Sequence, residues 1–172
     1  QLESLYIQAD STDLFCNGAL LQTLLEQLSV QSFSLPPIIT QLGDVHYHGN
    51  IHGWLDSLSL KGAFNNSLGS IDVEGYIHSD TTFQNFYFSG NVHTQSFQLG
   101  RLLKQADLGS VTLDAQVNGL FEDGQFVEAT TTAKIQQFEY KNYSYQNIHI
   151  EADIAPQEIK GKLNIKDENI QL

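Results

Sequence analysis

The sequence predicts an all-β fold, a curved antiparallel meander forming an open apolar groove with one or two short helices, on three observations. Apolar and polar residues alternate over most of the chain from Val45 onward, the period of strands with one buried face. A single motif, apolar-x-apolar-x-Gly-x-apolar, recurs at nearly constant spacing. Turn-forming residues separate its copies.

Taken in order, residues 1–40 are expected to hold an N-terminal strand and a short helix leading into the groove. Ala19, Leu20, Leu21, Leu24, Leu25 and Leu28 share one helical face that starts near Asn17, and Pro36 with Pro37 marks the way into the repeat. Residues 41–172 then form the repeated-strand β-groove, a single domain expected to be a fragment of a longer protein. Its first four copies carry Val45, Tyr47, Gly49 and Ile51; Leu58, Leu60, Gly62 and Phe64; Ile71, Val73, Gly75 and Ile77; Phe86, Phe88, Gly90 and Val92. Their glycines follow one another at 13, 13 and 15 residues. That interval fits a strand of about eight residues plus a short turn, so successive strands should be antiparallel neighbours.

A fifth copy, Val111, Leu113, Ala115 and Val117, has alanine at the glycine position. Ile148, Ile150, Ala152 and Ile154 make a sixth, and Ile159, Gly161, Leu163 and Ile165 a shifted seventh. Turns are expected at Asn65, Asn66 and Ser67 with Gly69, at Asp80, Thr81 and Thr82, at Glu122, Asp123 and Gly124, at Lys141 and Asn142, and at Pro156 and Gln157. Phe97, Leu99, Leu102 and Leu103 suggest a second turn or two of helix.

Glycine inside a strand costs up to about 1 kcal/mol relative to alanine, so its recurrence on the apolar face needs a reason. Two fit equally. Missing side chains repeated in register would hollow a trough along the sheet, or they would relieve crowding where a curved sheet packs on itself.

Composition narrows the function. The 172 residues suffice for one domain, with 41% apolar and 16% charged residues, fewer charges than the roughly 25% of an average soluble domain. Eight Lys and Arg stand against 20 Asp and Glu, a formal charge of −12 spread along the chain. That sign opposes binding to nucleic acid and electrostatic docking on anionic lipid. Any membrane-related role must use apolar contact. The single cysteine, Cys16, excludes an intrachain disulfide and reads as a small hydrophobe. No apolar run approaches the roughly 20 residues of a membrane-spanning helix, and targeting and anchoring parts are expected elsewhere in the longer protein.

Candidate chemistry is sparse. His46, His48 and His52 project to one side of a strand, as shared metal ligands can, but on the polar face and with no cysteine near. No metal site is expected. His78, His93 and His149 occupy similar positions. Asp72 with Glu74, and Glu151 with Asp153, are carboxylate pairs of a kind that any acidic chain supplies. Nucleophile-elbow, zinc-protease, phosphate-loop and dinucleotide motifs are all lacking, so no catalytic residue, enzyme activity or cofactor is expected. Trp54, Tyr140, Tyr143 and Tyr145 could stack on a sugar or, more commonly, cap the end of a core.

Three stretches carry a family resemblance: residues 42–53 (LGDVHYHGNIHG), residues 88–103 from Phe88-Ser89-Gly90-Asn91-Val92-His93-Thr94 to Phe97-Gln98-Leu99-Gly100-Arg101-Leu102-Leu103, and residues 138–148 (FEYKNYSYQNI). Together with the closing residues 161–172, they resemble the AsmA-like proteins related to TamB, the translocation and assembly module subunit, in their Bacteroides-type form. The likeness covers about residues 40–172. It implies a β-taco, a groove lined by apolar residues, in a bridge-like protein anchored in the inner membrane of a Gram-negative envelope and crossing the periplasm. Phospholipid transport between inner and outer membranes is the implied function, with a role in outer-membrane biogenesis and protein secretion. Lipid acyl chains would lie on Val45, Tyr47, Ile51, Leu58, Leu60, Phe64, Ile71, Val73, Ile77, Phe86, Phe88, Val92, Val111, Leu113 and Val117.

Phospholipid acyl chains are thus the expected partner, with an outer-membrane β-barrel protein second. The alternative is a scaffold or chaperone module that pairs its sheet edge with strands of outer-membrane proteins. A carbohydrate-binding domain stands behind both.

Overall fold

The computed structural model describes residues 5–17, 41–82, 84–123 and 125–168. The strands are β1 (Tyr6–Asn17), β2 (Asp44–Trp54), β3 (Ser57–Asn66), β4 (Gly69–Ser79), β5 (Phe86–Phe97), β6 (Leu108–Glu122), β7 (Gln125–Tyr140), β8 (Tyr143–Ala155) and β9 (Glu158–Ile165). One short helix, α1 (Leu99–Leu103), lies between β5 and β6. The nine strands form one sheet in chain order, each antiparallel to the next. The sheet is curved and open, an almost all-β meander as the repeat predicts. The expected helix over Ala19 to Leu28 and the Pro36 and Pro37 connection lie outside the described residues.

Hairpin chemistry sets this order. Residue pairs Trp54 and Ser57, Asn66 and Gly69, Tyr140 and Tyr143, and Ala155 and Glu158 face each other across two-residue turns. Lys141 and Asn142 both have positive φ, 49° and 62°, the twist that matches a two-residue hairpin to its strands. The longer loop from β4 to β5 is knotted around Asp80. Its carboxylate accepts from the Gln84 N–H at 3.0 Å, the Thr82 hydroxyl at 2.9 Å and the Asn85 amide at 2.8 Å.

Bulges bend the strands. In β1 the register slips between Ala9 and Thr12, where Ser11 takes φ 48° and its N–H is satisfied by Asn50 Oδ1 at 2.8 Å. In β5 it slips between Thr94 and Phe97, where Ser96 takes φ 51° and donates to Thr112 Oγ1 at 3.0 Å. The second bulge returns Phe97 to the apolar face, opposite Val111.

The packed core is small and sits at one end of that face. Leu68, Phe97, Leu102 and Val111 are buried together, with Leu42, Ile71, Leu99, Leu113, Ile135 and Phe138 against them. Helix α1 covers this end. It is tied to the β3–β4 turn by Gln98 N–H donating to the Leu68 carbonyl at 2.9 Å and Arg101 Nη1 to the Ser67 carbonyl at 3.1 Å. Lys104 ends it in the left-handed conformation, and the Gln105 N–H returns to the Gly100 carbonyl at 2.9 Å. Each large side chain buried here contributes about 1.5–3 kcal/mol.

Candidate functional site

Cross-strand partners share a face, so the register assigns every side chain to one side of the sheet. All fifteen residues expected to line a groove fall on one face of β2 to β6. Tyr47, Phe64, Ile71 and Leu113 lie in one row, joined by Thr94. Val73 and Val92 lie in the next, then Ile51, Leu60 and Val117, then Leu58, Ile77 and Phe88. Val45 and Val111 stand toward the α1 end, and Phe86 toward the opposite end. Tyr47 and Val111 are buried, Ile77 is exposed, and the others are half-buried.

The face extends further than those residues. Ala129, Thr131, Ala133 and Ile135 of β7 continue the rows, followed by Ile148, Ile150, Ala152 and Ile154 of β8 and Ile159, Gly161, Leu163 and Ile165 of β9. At the other edge Ile7, Ala9, Thr12, Leu14 and Cys16 of β1 join it. Strand β7 escapes the motif because its inward residues are alanine and threonine and its register slips three times against β6. Its signal was the plain alternation over Ala129, Thr131, Ala133 and Ile135, without the apolar bulk.

Side-chain size varies across the face in an ordered way. One central row reads Thr12, Gly49, Gly62, Val73, Val92, Ala115, Ala133, Ile150, Leu163 and the next Ala9, Ile51, Leu60, Gly75, Gly90, Val117, Thr131, Ala152, Gly161, so the smallest residues pass from the first row to the second along the sheet. Bulky residues flank them: Tyr47, Phe64, Ile71 and Leu113 on one side, and Leu58, Ile77 and Phe88 on the other, with Phe121 and Phe126 beyond. Phe88, Phe121 and Phe126 form a chain of rings with centroids 5.9 and 5.7 Å apart. A low lane thus crosses the strands between two higher borders. Nine strands at about 4.8 Å make it about 38 Å long.

The glycines pair across strands, Gly49 with Gly62 and Gly75 with Gly90, in adjacent rows rather than one line. At the first pair a Cβ on Gly49 would stand 2.6 Å from Gly62 Cα, and the Tyr47 ring already fills the space above. Crowding relief is the reason there. At the second pair, a Cβ on Gly75 would stand 3.0 Å from the Ser89 carbonyl and one on Gly90 2.9 Å from both the Glu74 carbonyl and Gly75 Cα, so there the nearest obstacles are the backbone of the neighbouring strand.

The opposite face is polar and holds the histidines. His48 Nδ1 lies 2.8 Å from Asp13 Oδ1 and His52 Nε2 lies 2.6 Å from Asp10 Oδ1, fastening β1 to β2. His46 meets the Phe15 ring edge-on, and His93 pairs with Asp114 at 2.7 Å. The three histidines of β2 therefore face separate partners, and among the described residues no three His, Cys, Asp or Glu groups converge as metal ligands do. Glu74 is held by Lys61 at 2.9 Å, while Asp72 borders one cleft and Glu151 and Asp153 another. Hydrogen bonds from Gln8 and His52 keep the Asp10 carboxyl below the usual carboxylate range, and those from His93 and Gln136 do so for Asp114.

Tyr143 and Tyr145 pack ring to ring at 4.6 Å near the α1 end, where the Tyr143 hydroxyl donates to buried Asp167. Comparison with known protein families, with characterised proteins and with solved structures finds no match. No helix among the described residues is long and apolar enough to cross a membrane.

Proposed function

We propose that this sheet is a lipid-carrying segment of a bridge-like envelope protein, its apolar lane shielding phospholipid acyl chains on their way between inner and outer membranes. The observation that carries this reading is the lane itself. An ordinary sheet of this size buries its apolar face under a second layer. Here, among the described residues, only α1 lies over one end, and Val73, Val92, Val117, Leu58 and Phe88 remain half-exposed along the rest. The lane is longer than the roughly 15 Å depth of one bilayer leaflet, so it can hold a whole acyl chain. With no charge on its floor, it would let the chain slide.

On this reading the chain acts in the periplasm as part of an inner-membrane-anchored protein of the AsmA-like type, and it performs no catalysis. A second reading, pairing with strands of outer-membrane β-barrel proteins, draws on β9. It is the last strand of the sheet and exposes Ile159 to 74% and Leu163 to 55%. Native mass spectrometry of gently purified protein tests the first reading. Retained phospholipid is the expected result. A lipid-free protein that forms a complex with an unfolded barrel protein would transfer the argument to the β9 edge.

A further inference from the structure

The polar face bears aromatic rings that neither the core nor the lane uses. Trp54, Tyr76 and Tyr87, on β2, β4 and β5, point away from the apolar lane and are 49%, 44% and 51% exposed. Trp54 faces Ser57, Ser57 faces His78, and His78 faces Tyr87, one row across four strands. Tyr76 stands one step inward, between Ser59 and Ser89. Two of the rings are held in place. Tyr76 bonds the Ser57 hydroxyl and lies 10° from parallel to the His78 imidazole at 6.4 Å, while Trp54 meets Tyr6 edge-on at 5.2 Å.

Beside them open two clefts of about 330 and 510 Å³, which share Tyr76, Ser89 and Asn118. Hydroxyls and amides dominate their polar lining. Lys61 and His52, which border the larger cleft, are paired with Glu74 at 2.9 Å and Asp10 at 2.6 Å, and Glu128 adds negative charge to the smaller one. An anionic lipid or a nucleic acid would find no counter-charge here. A protein partner would favour a continuous apolar centre, whereas these rings are separated by serines. A neutral sugar fits both features, since a pyranose offers an apolar C–H face to an aromatic ring and a rim of hydroxyls to amide and hydroxyl partners.

We infer that Trp54, Tyr76 and Tyr87 together form a binding platform for a neutral oligosaccharide, on the face opposite the lipid lane. Trp54 and Tyr87 are three strand spacings apart, about 14 Å, the reach of a short linear chain of sugar rings. The platform is tested separately from the lipid reading, because the rings of Trp54, Tyr76 and Tyr87 stand on the face opposite the lane, with Phe88 and Leu60 of the lane only bordering the clefts.

Trp54 is the only tryptophan and so reports directly on its own site. The test titrates the whole chain with neutral tetrasaccharides of β-1,4-glucose, β-1,4-N-acetylglucosamine and α-mannose, following tryptophan emission. At least one should give a saturable shift. Tyr87→Ala should weaken that binding about tenfold or more, and Tyr87→Phe much less, with thermal melting confirming that both variants fold. Three results would overturn the inference: no saturable shift with any of the sugars, binding that Tyr87→Ala and Tyr76→Ala leave unchanged, or an emission shift produced by phosphatidylcholine vesicles instead, which would make these rings a membrane-facing belt.

Discussion

Gly62 lies beneath the ring of Tyr47, so that a Cβ on Gly62 would stand 2.8 Å from Tyr47 Cε2. The ring is held there by its hydroxyl, which donates to the Asn50 carbonyl at 2.9 Å, and by Phe64, with centroids 4.8 Å apart. This explains how Tyr47 is only 5% exposed while Phe64, Val73 and Ile51 near it are half-buried. Gly62→Ala should therefore destabilise the fold by about 1–3 kcal/mol through overpacking. Gly75→Ala, with a softer contact, should cost less. Urea unfolding of both variants measures the difference, and equal losses would show that both the Tyr47 ring and the His48 carbonyl, which stands closer still to the added Cβ, yield freely.

Closed and open parts of the apolar face should answer differently to truncation. Under α1, Phe97→Ala should cost about 3–5 kcal/mol and Leu102→Ala about 2–5 kcal/mol, since each leaves a cavity in packed surroundings. Val73→Ala, in the lane, should cost less than about 1 kcal/mol because little apolar area is withdrawn from water there. Comparable losses at Val73 and Leu102 would mean that something covers the lane as α1 covers its end.

Acid should loosen the sheet. Asp10 and Asp114 titrate below their ordinary value for the reasons given above, and Glu139 does so because the Ser110 N–H and hydroxyl both donate to it. A carboxyl whose folded pKa is depressed contributes stability that is present above its unfolded pKa and lost as pH falls through the folded one. These contributions should thus be intact above about pH 4 and disappear below it. Urea midpoints measured from neutral to strongly acid pH should fall in that window, and Asp114→Asn should flatten the fall. A midpoint that rises on acidification would contradict the assignment.

Much of this was legible in the sequence because a period of two leaves little freedom. Once Val73 faces inward, Asp72 and Glu74 face outward, and the spacing of glycines ties each strand to its neighbour. The turns at Lys141 and Asn142 and at Pro156 and Gln157 could be read from residue type alone. What could not be read were the events that break the period. The bulge at Ser96 resets the phase before Phe97, and three slips hide β7 among threonines and alanines whose small size is what keeps the lane low. The polar aromatic platform was equally hidden, since Trp54, Tyr76 and Tyr87 come from three strands and meet only through register.

Site-specific photo-crosslinking in cells tests the lipid lane most directly. A photoreactive side chain at Val73 or Phe88 should capture phospholipid, while the same group at Glu74 or Ser89, one residue away and on the polar face, should not. Val73→Asp should abolish capture at Phe88 yet leave the protein folded, because a carboxylate on an open lane stays hydrated while imposing a desolvation cost on every passing chain. Equal capture at Val73 and Glu74 would contradict the account, as would unfolding of the Val73→Asp variant, which would mark this face as a closed, dry core.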